Sequence, residues 1–475
     1  MAVEHGQRDR PVTRWSALCA ATLLAACAEE PVGVPQPLPP AFVSSAVTPN
    51  ANNVLSAVVT IRVQRADSVA VQFHLGDVSS AADSVTPAVA VAGDSAVVPL
   101  LGLLPSHSYV ARPVAYGAGA PRIGDPLDFT TGALPSDLPH YEASGSDPSP
   151  GFVVFAAGKY GLVIDNTGRV VWYRRFANGP GLNFMAQPTG RYVVRPPTPD
   201  VTDIEPWLEI DPGGDVARML RCANGFQSRP HDLLLEQGGS YWILCDETHT
   251  MDLTAVGGVS AARVTGTVVQ HVSAAGELLF QWSPFDHFLI TDVNSAERTG
   301  QNVNWTHGNA LDIDTAGNLF VSFRNLSEIT KIDTKTGAVI WRMGGLRNQF
   351  DFAGEQMPPF ARQHGMRLYG PGALLLLDNV GDPTESRAKR YTIEEPSHSA
   401  HLVQSHGWPG IVTEIGGSVQ NLSGGRTLVS FGTAGRVEEY DATGRVAWRI
   451  EGNAGYIFRA QRIKSLYAPG VGTPR

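Results

Sequence analysis

A repeated β-hairpin runs through the chain from residue 150 onward and constrains the fold more than any other feature. The hairpin joins a short apolar strand to a strand bearing Trp or Leu through a polar glycine turn. Its copies are GLVIDNTGRVVWYR (161–174), WLEIDPGGDVARML (207–220), VVQHVSAAGELLFQW (268–282), EITKIDTKTGAVIWR (328–342) and RVEEYDATGRVAWRI (436–450), with RAKRYTIEEPSHSAHLV (387–403) keeping the spacing but not the glycine. Apolar alternation around such turns predicts antiparallel strand pairs.

A second kind of hairpin lies between these copies. Its members are NFMAQPTGRYVV (183–194), HDLLLEQGGSYWIL (231–244), HGNALDIDTAGNLFVSF (307–323), HGMRLYGPGALLLL (364–377) and GSVQNLSGGRTLVSF (417–431). One hairpin of each kind makes a four-stranded unit, and repeated units of four short strands are typical of β-propellers. Six outer hairpins imply six blades over residues 140–470.

The first blade lacks an innermost strand, because it begins directly at Gly151–Phe155. The segment Tyr456–Leu466 at the other end has no partner of its own. We expect that segment to supply the missing strand, since this pairing removes two unpaired edges at once.

A smaller β domain precedes the repeats. Residues 41–133 carry strand-like runs such as 58–63 and 69–73. The stretch Leu103–Tyr109 resembles the Leu-x-Pro-x-Thr-x-Tyr signature of fibronectin type III domains, in which the tyrosine hydroxyl binds nearby backbone. His107 stands where that signature has Thr. The predicted fold class is therefore all-β: a six-bladed β-propeller after a small fibronectin type III-like β-sandwich, to which we assign a spacer or docking role.

The first residues predict export. Arg8, Arg10 and Arg14 precede an apolar run that is too short to span a bilayer and reads as a signal peptide over 1–26. The run ends in Leu-Ala-Ala-Cys, which resembles the bacterial lipoprotein box and predicts lipidation of Cys27. A Pro-rich linker follows over 27–40. We expect an extracytoplasmic protein held at the cell envelope, in a Gram-negative cell the outer membrane, by this lipid anchor only.

The net charge and the cysteine content restrict the binding partners and the redox compartment that we expect. The formal charge of −9 leaves no basic stripe of the kind that nucleic-acid binding requires. After export and lipidation, Cys222 and Cys245 are the remaining thiols in an oxidising compartment, which leaves open whether they pair. No Gly-rich phosphate loop of the GxxxxGK[ST] type occurs, so a nucleotide donor is not expected.

Three histidines share one phase of the inner hairpins. His231 and His364 lie eight residues before their turn glycines, and His307 lies ten before Gly317 through a longer turn. Innermost strands of a propeller run in the same direction along the channel, so these histidines should meet at one mouth. Arg324, at the end of the returning strand, joins the same face, and Arg459 lies at a loosely similar phase of the closing strand.

Other residues near this register carry weaker predictions. Asp378-Asn379 is either a polar turn or a pair that fixes an imidazole tautomer. Trp305 and Phe360 are either packing residues or platforms that stack on an aromatic substrate. With Asn309 and Arg459 they form the predicted substrate-binding set. The remaining histidines of the repeats are predicted to be surface residues: His249, His271, His287, His398, His401 and His406.

Two chemistries suit three imidazoles and a guanidinium. Three histidines with an open position resemble a catalytic zinc site. A fixed Arg324 cation opposes a divalent metal and favours an oxyanion instead. Transfer of a sulfuryl or phosphoryl group needs charge-assisted donors around three oxygens, and a neutral imidazole can act as the nucleophile. We therefore predict a site without metal or cofactor.

Several stretches taken together resemble the bacterial arylsulfate sulfotransferases. They are NWTHGN (304–309), SFRN (322–325), WRMGG (341–345), FARQHG (360–365), LLDN (376–379), SRA (386–388) and the closing GSVQNLSGGRTLVSFG. The resemblance covers residues 41–470 and implies a secreted six-bladed propeller that moves sulfate from an aryl sulfate donor to a phenolic acceptor without a nucleotide. It implies that His364 is the nucleophile that becomes sulfohistidine. His231, His307 and Arg324 would bind the sulfate oxygens and assist the leaving phenol.

The sequence departs from that family at two positions. Gly365 stands where Asp usually follows the nucleophilic histidine, and Asn304 stands in place of the Asp before the Trp. Both changes remove carboxylates that could orient an imidazole. Two alternatives remain: a three-histidine zinc propeller of lyase or hydrolase type, and a non-catalytic envelope scaffold.

Overall fold

The computed structural model describes residues 37–76, 84–197, 205–453 and 455–470. The predicted signal peptide 1–26, the lipidation site Cys27 and the linker up to residue 36 lie outside these ranges. Residues from Pro39 onward form one compact unit.

Two sheets pack face to face before residue 131. Their strands are β1 (Ala41–Pro49), β2 (Ser56–Gln64), β3 (Ala66–Leu75), β4 (Ser84–Val85), β5 (Val89–Ala90), β6 (Ser95–Leu101), β7 (Ser108–Gly117), β8 (Arg122–Ile123) and β9 (Leu127–Thr130). One sheet has the order β1-β2-β6, and the other is built on β3 and β7, with the shorter strands at their sides. Alternate apolar residues of β2, β3, β6 and β7 meet in a shared core.

The predicted tyrosine contact is present in this pair of sheets. The Tyr109 hydroxyl accepts a hydrogen bond from the backbone N–H of Leu104 at 2.8 Å. Its ring stacks on Phe129 with centroids 5.5 Å apart. The tyrosine thus ties the loop before β7 to the core, as the sequence stretch predicted.

The strands after residue 140 follow the hairpin repeat. They are β10 (Tyr141–Ser144), β11 (Phe152–Ala157), β12 (Tyr160–Ile164), β13 (Val170–Arg175), β14 (Phe184–Ala186), β15 (Tyr192–Val194), β16 (Trp207–Ile210), β17 (Val216–Leu220), β18 (Gln227–Leu235), β19 (Tyr241–Met251), β20 (Ala262–Val272), β21 (Leu278–Trp282), β22 (Asn302–Asn304), β23 (Gly308–Ile313), β24 (Leu319–Phe323), β25 (Glu328–Ile332), β26 (Val339–Gly344), β27 (His364–Gly370), β28 (Ala373–Asp378), β29 (Arg387–Glu394), β30 (Ser399–Gly407), β31 (Ser418–Asn421), β32 (Thr427–Ser430), β33 (Val437–Tyr440), β34 (Val446–Gly452) and β35 (Ala460–Ile463).

Within the described part of residues 141–463 these strands form six sheets. Their orders are β13-β12-β11-β35, β14-β15-β16-β17, β18-β19-β20-β21, β23-β24-β25-β26, β27-β28-β29-β30 and β31-β32-β33-β34-β10, with β22 beside β20. One edge strand of each of these sheets contacts an edge strand of the next sheet. The contacts are β18–β23, β23–β27, β27–β31 and β31–β35. The fold is therefore all-β and propeller-like, and each predicted hairpin is an antiparallel pair.

The C-terminal segment closes the first sheet, as predicted. Strand β35 pairs antiparallel with β11, from Phe152 opposite Ile463 to Phe155 opposite Ala460. Strand β10 was not predicted; it adds a fifth strand beside β34. Thus β35, at the C-terminal end of the repeat region, pairs with β11 near its start, and β10, at its start, pairs with β34 near its end.

Helix is confined to single short 3₁₀ turns among the described residues. They are Thr254–Val256, Pro284–Asp286, Ile290–Asp292, Ser295–Arg298, Glu395–Ser397, Ser423–Gly425 and Gly432–Ala434. Four of these turns lie between β19 and β22. None of the described helices has the length and apolarity that crossing a membrane requires.

A disulfide joins Cys222 and Cys245. Cys245 lies in β19, and Cys222 follows β17 of the preceding sheet. The bond therefore links two neighbouring sheets, and it answers the question that the sequence left open.

Candidate active site

The three histidines lie on, or directly before, three neighbouring strands. His364 begins β27, His307 directly precedes β23, and His231 lies within β18. Arg324 directly follows β24, the partner of β23. The shared phase seen in the sequence thus corresponds to a shared end of adjacent strands.

His307 enters β23 through an unusual backbone conformation. Its φ is +50°, in the left-handed region that non-glycine residues seldom adopt. Next to it, a Cβ on Gly308 would lie 2.6 Å from Cγ2 of Thr267, so only glycine allows the strand to approach β20 this closely. The Thr267 hydroxyl accepts the Gly308 N–H at 2.8 Å and fixes the approach.

The tautomer of His364 follows from the contacts of Asn379. The Asn379 amide nitrogen donates to the carbonyls of Thr413 at 2.6 Å and Gly416 at 2.9 Å, so its oxygen must face the imidazole. That oxygen lies 2.8 Å from Nδ1 of His364, which therefore carries the proton. Nε2 keeps its lone pair and accepts a long hydrogen bond from the Gly416 N–H at 3.3 Å. Of the two interpretations of Asp378-Asn379, orientation of the imidazole is the one that the structure supports.

His307 and His231 form a second hydrogen-bonded unit. Their Nε2 atoms are 3.2 Å apart, and Nδ1 of His307 is 2.6 Å from the amide nitrogen of Asn304. Asn304 is exposed, and its amide makes no second hydrogen bond within the described residues. At the other end of the unit, Nδ1 of His231 is buried and has no hydrogen-bond partner among the residues that the structure describes.

Phe458, on the closing segment, joins the two units. Its ring centroid is 5.8 Å from that of His231 and 5.8 Å from that of His364, in edge-to-face geometry both times. Phe458 is 2% exposed, so it is a wall of the site and not a surface for ligand stacking.

Electrostatics keep these imidazoles neutral. Burial, followed by the charge of Arg229, lowers the pKa of His307 to about 2. Burial, opposed by the hydrogen bond that His364 donates to Asn379 and assisted by the charge of Arg324, lowers the pKa of His364 to about 4. Burial and Arg229 also hold the pKa of His231 well below its usual value. All three rings are therefore neutral at physiological pH, the state in which an imidazole is a nucleophile or a base.

Arg324 supplies an unpaired cation beside the rings. Its guanidinium donates to the Asn325 side chain at 3.0 Å and to the Glu414 carbonyl at 3.1 Å. No carboxylate among the described residues lies within ion-pair distance of it, whereas nearby Arg362 is paired with Glu297. A half-buried guanidinium without a carboxylate partner is suited to an anion.

Arg459 is buried in contacts with other protein groups. Its guanidinium is buried and donates to the Asn183 side chain at 3.2 Å and the His231 carbonyl at 3.2 Å. It also pairs at 3.5 Å with Asp232, which Arg367 binds through two hydrogen bonds. Arg459 thus belongs to a charged layer beneath the histidines, and it fixes the backbone of His231.

The other three predicted substrate contacts are core residues. Trp305 is 2% exposed and packs against Phe285, while Phe360 is fully buried against Tyr391 and Phe352. These placements support the packing interpretation and not stacking on a substrate. Asn309 is also fully buried, and its amide nitrogen donates to the Gln363 carbonyl at 2.7 Å, next to His364.

Two further features were missed in the sequence. The Gly416 N–H contacts His364 Nε2, and its only signal is the Gly416-Gly417 pair, whose φ values of +73° and +101° require glycine. His406, predicted to be a surface residue, is 7% exposed and stacks on Tyr440 with centroids 4.7 Å apart.

The departure at Gly365 has a local cause. Its φ is +60°, and a Cβ there would lie 2.6 Å from Cα of Ser418. No side chain fits at this position without a shift of the next sheet. An aspartate at 365 is therefore excluded by packing in this chain.

The described residues contain no group of three His, Cys, Asp or Glu side chains arranged to hold a metal ion. This arrangement does not favour the zinc alternative. Instead the site combines a fixed neutral imidazole, a hydrogen-bonded histidine pair and an unpaired guanidinium.

Several solved structures are distantly similar to this chain. Among solved structures, similar ones include a Bacteroides caccae protein of unknown function (12% identity, 66% of this chain and 98% of that chain, TM-score 0.41), a catalytically inactive Staphylococcus aureus virginiamycin B lyase with quinupristin (9%, 66% and 88%, 0.35) and a putative Bacteroides uniformis 6-phosphogluconolactonase (10%, 84% and 100%, 0.36). No curated protein matches the sequence.

The family described as Arylsulfotransferase (ASST) matches residues 226–453. This region runs from the residue before β18 to the residue after β34 and includes His231, His307, Arg324 and His364. Asn304 and Asn379, which contact two of these histidines, lie in the same region. Residues 226–453 of the chain therefore match the arylsulfotransferase (ASST) family.

Proposed function

We propose that this protein is a nucleotide-independent arylsulfate sulfotransferase that moves a sulfuryl group from an aryl sulfate to a phenolic acceptor through a sulfohistidine on His364. The observation that carries the proposal is the fixed tautomer of His364: Asn379, itself held by two carbonyls, leaves the lone pair on Nε2. The family implies the substrate classes.

In the first half-reaction Nε2 of His364 attacks sulfur in line with the aryl oxygen. The N–S bond forms as the S–O bond breaks, and the aryl oxygen leaves with the bonding electron pair. His364 keeps its Nδ1 proton, and Asn379 stabilises the positive charge that develops on the ring. The second half-reaction is the reverse, with the acceptor oxygen attacking sulfur and Nε2 leaving.

The transferring group carries negative charge on its three sulfate oxygens. Arg324 has no carboxylate partner among the described residues, so its guanidinium can bind these oxygens. The Gly416 N–H is directed at Nε2 of His364, where the sulfur would sit, and it is available to an oxygen once the nitrogen is sulfated. His231 and His307 assist at the aryl oxygen.

We further propose the architecture and location in which this chemistry operates. The six sheets of residues 140–470 are the blades of a six-bladed propeller, and residues 41–133 form a fibronectin type III-like sandwich. The chain is exported, lipidated at Cys27 and held at the outside of the cytoplasmic membrane or at the outer membrane. The disulfide between Cys222 and Cys245 is compatible with an oxidising compartment.

The test is an acceptor-dependence assay on soluble protein that begins after Cys27. 4-Nitrophenyl sulfate is supplied with and without a phenol, and both 4-nitrophenol and the new aryl sulfate are measured. Sustained product formation that requires the phenol supports the proposal. Hydrolysis at the same rate without phenol, or activity that a chelator abolishes, overturns it.

A further inference from the structure

An ion pair lies beside the site and joins two segments that are distant in sequence. The first segment, residues 283–301 between β21 and β22, carries Glu297 on its last 3₁₀ turn. The Glu297 carboxylate pairs with the guanidinium of Arg362, in the loop before β27. Arg362 lies two residues before His364, so this ion pair is attached to the backbone that leads into the proposed nucleophile.

Hydrogen bonds connect the ion pair to the loop of Arg324. The backbone N–H of Ser327 donates to the Arg324 carbonyl at 3.0 Å, and the Ser327 hydroxyl accepts the Arg362 N–H at 3.1 Å. The charges also affect one another: burial lowers the pKa of the Arg324 guanidinium, Arg362 lowers it further, and Glu297 opposes both. The pair therefore lies close enough to Arg324 to act on a ligand bound there.

A second carboxylate lies near Arg324 without pairing with Arg362. Glu414 is exposed, its carbonyl accepts a hydrogen bond from Arg324, and its charge acts on Arg324 in the same direction as that of Glu297. We call Arg324, Arg362, Glu297 and Glu414 the charged rim.

The two members of the ion pair are accessible to a ligand. The Arg362 side chain is 37% exposed and the Glu297 side chain is 26% exposed. Arg324 differs from Arg362, because no carboxylate among the described residues lies within ion-pair distance of it. The charged rim thus holds one guanidinium that is available to an anion and one that Glu297 already occupies.

We propose that the Glu297–Arg362 ion pair determines the charge of the aryl group that the site accepts, and that it favours phenols without a second anionic group. A carboxylate on the acceptor would have to displace Glu297 from Arg362, and it would meet the negative charge of Glu297 as it approached. The inference rests on the proposed function and deepens it, since it names uncharged phenols as the preferred acceptors.

Removal of either partner should change this preference in opposite directions. Glu297→Gln removes the repulsion and leaves the Arg362 guanidinium available to a carboxylate, which it can bind through two hydrogen bonds. Arg362→Gln leaves Glu297 without its cation and increases the repulsion. A phenol without a carboxylate is insensitive to either change, apart from any general effect on the fold.

The experiment compares 4-hydroxybenzoate with its methyl ester as acceptors of the sulfuryl group from 4-nitrophenyl sulfate. The two phenols share a ring and differ by one charge, and kcat/KM is measured for each at neutral pH and low ionic strength. In Glu297→Gln we expect the ratio of carboxylate to ester to rise by about 5-fold to 10-fold, as for one charge-assisted contact that is partly exposed. In Arg362→Gln the ratio should fall by about 3-fold. Added salt should reduce both changes.

Glu395→Gln is the matched control. The Glu395 side chain is 35% exposed, lies on a 3₁₀ turn and pairs with Lys331, but it follows β29 at the end away from His364. The ratio should not change in this variant. Glu414→Gln removes a carboxylate from the charged rim without releasing Arg362, so its ratio should rise less than that of Glu297→Gln.

The inference is overturned if the wild type prefers the carboxylate, or if the ratio in Glu297→Gln equals that of the wild type. It is also overturned if Glu414→Gln or Glu395→Gln raises the ratio as much as Glu297→Gln. In each of these cases, transfer to the ester by the wild type still supports the proposed function. Absence of transfer to both phenols in the wild type would overturn both. A merely structural role of the ion pair would lower both kcat/KM values and leave their ratio unchanged, which also counts against the inference.

Discussion

The His364–Asn379 pair and the His307–Asn304 pair are chemically alike and physically opposite. Asn379 is fully buried and anchored by Thr413 and Gly416, whereas Asn304 is exposed and its amide makes one hydrogen bond within the described residues. A fixed amide gives its histidine one tautomer, which a nucleophile needs. An amide with a single partner does not confine its histidine to one tautomer. The difference lies in the second partner of each amide and not in the residue type.

The largest effect is expected when the fixed imidazole of His364 itself is removed. His364→Asn should reduce turnover by at least ~10⁴-fold, because an amide cannot replace the nucleophile. Steady-state assays with 4-nitrophenyl sulfate and a phenol measure this loss. His406→Asn is the matched control, since that ring is also buried, has a pKa lowered to about 4, and lies in β30, away from the site. Comparable loss in the control would contradict the assignment.

Removal of the amide that fixes the nucleophile should have the next largest effect. Asn379→Leu keeps the volume but leaves Nδ1 of His364 without its acceptor, so the lone pair is no longer confined to Nε2. We expect kcat/KM for 4-nitrophenyl sulfate to fall by ~10² to 10³-fold, which is the usual effect of losing one group that orients an imidazole or an oxyanion. A loss of less than ~3-fold in well-folded protein would remove the tautomer argument.

The same substitution at the other pair should cost less. Asn304→Leu removes the amide that contacts Nδ1 of His307, but solvent reaches this nitrogen in its place and the leaving 4-nitrophenolate needs no proton. We expect a decrease of ~10-fold or less in kcat/KM for this donor. The ratio of the two losses measures the asymmetry directly, and equal losses would show that both amides serve the same purpose.

The smallest expected effect is on stability. The pKa of His364 is lowered to about 4 in the folded protein, so the unfolded chain binds a proton at a higher pH than the folded one. The free energy of unfolding should therefore fall as the pH drops from about 6.5 toward 4, with up to about 1.4 kcal/mol per pH unit from this ring. Urea unfolding at several pH values should show a shallower acid decline in His364→Asn. An unchanged decline would mean that His364 is not held neutral.

Much of the fold was predictable because hairpin registers are set locally. Each inner and outer hairpin carries its own turn and alternation, and the unpaired end at Gly151 called for the strand that β35 supplies. The shared phase of the three histidines followed from those registers. The contact between His364 and Asn379 was foreseen as one of two alternatives because the residues begin and follow paired strands.

The rest depended on contacts between distant segments, which local patterns do not encode. Trp305 and Phe360 precede histidines in sequence, yet the turn of the chain at His307 and the buried loop before His364 direct them into the core. Gly416 reaches His364 from the next sheet, and Arg459 reaches the His231 carbonyl from the closing segment. His406 is buried because Tyr440 of the next sheet covers it.

The central claim is that the fixed Nε2 of His364 carries the sulfuryl group. Purified protein is exposed to 4-nitrophenyl sulfate without acceptor, quenched, digested and measured by mass. The account predicts a sulfuryl adduct on the peptide that contains Gln363-His364, which disappears when a phenol is added before the quench. An adduct on the peptide of His307 or of His231, or full turnover in His364→Asn, would contradict it.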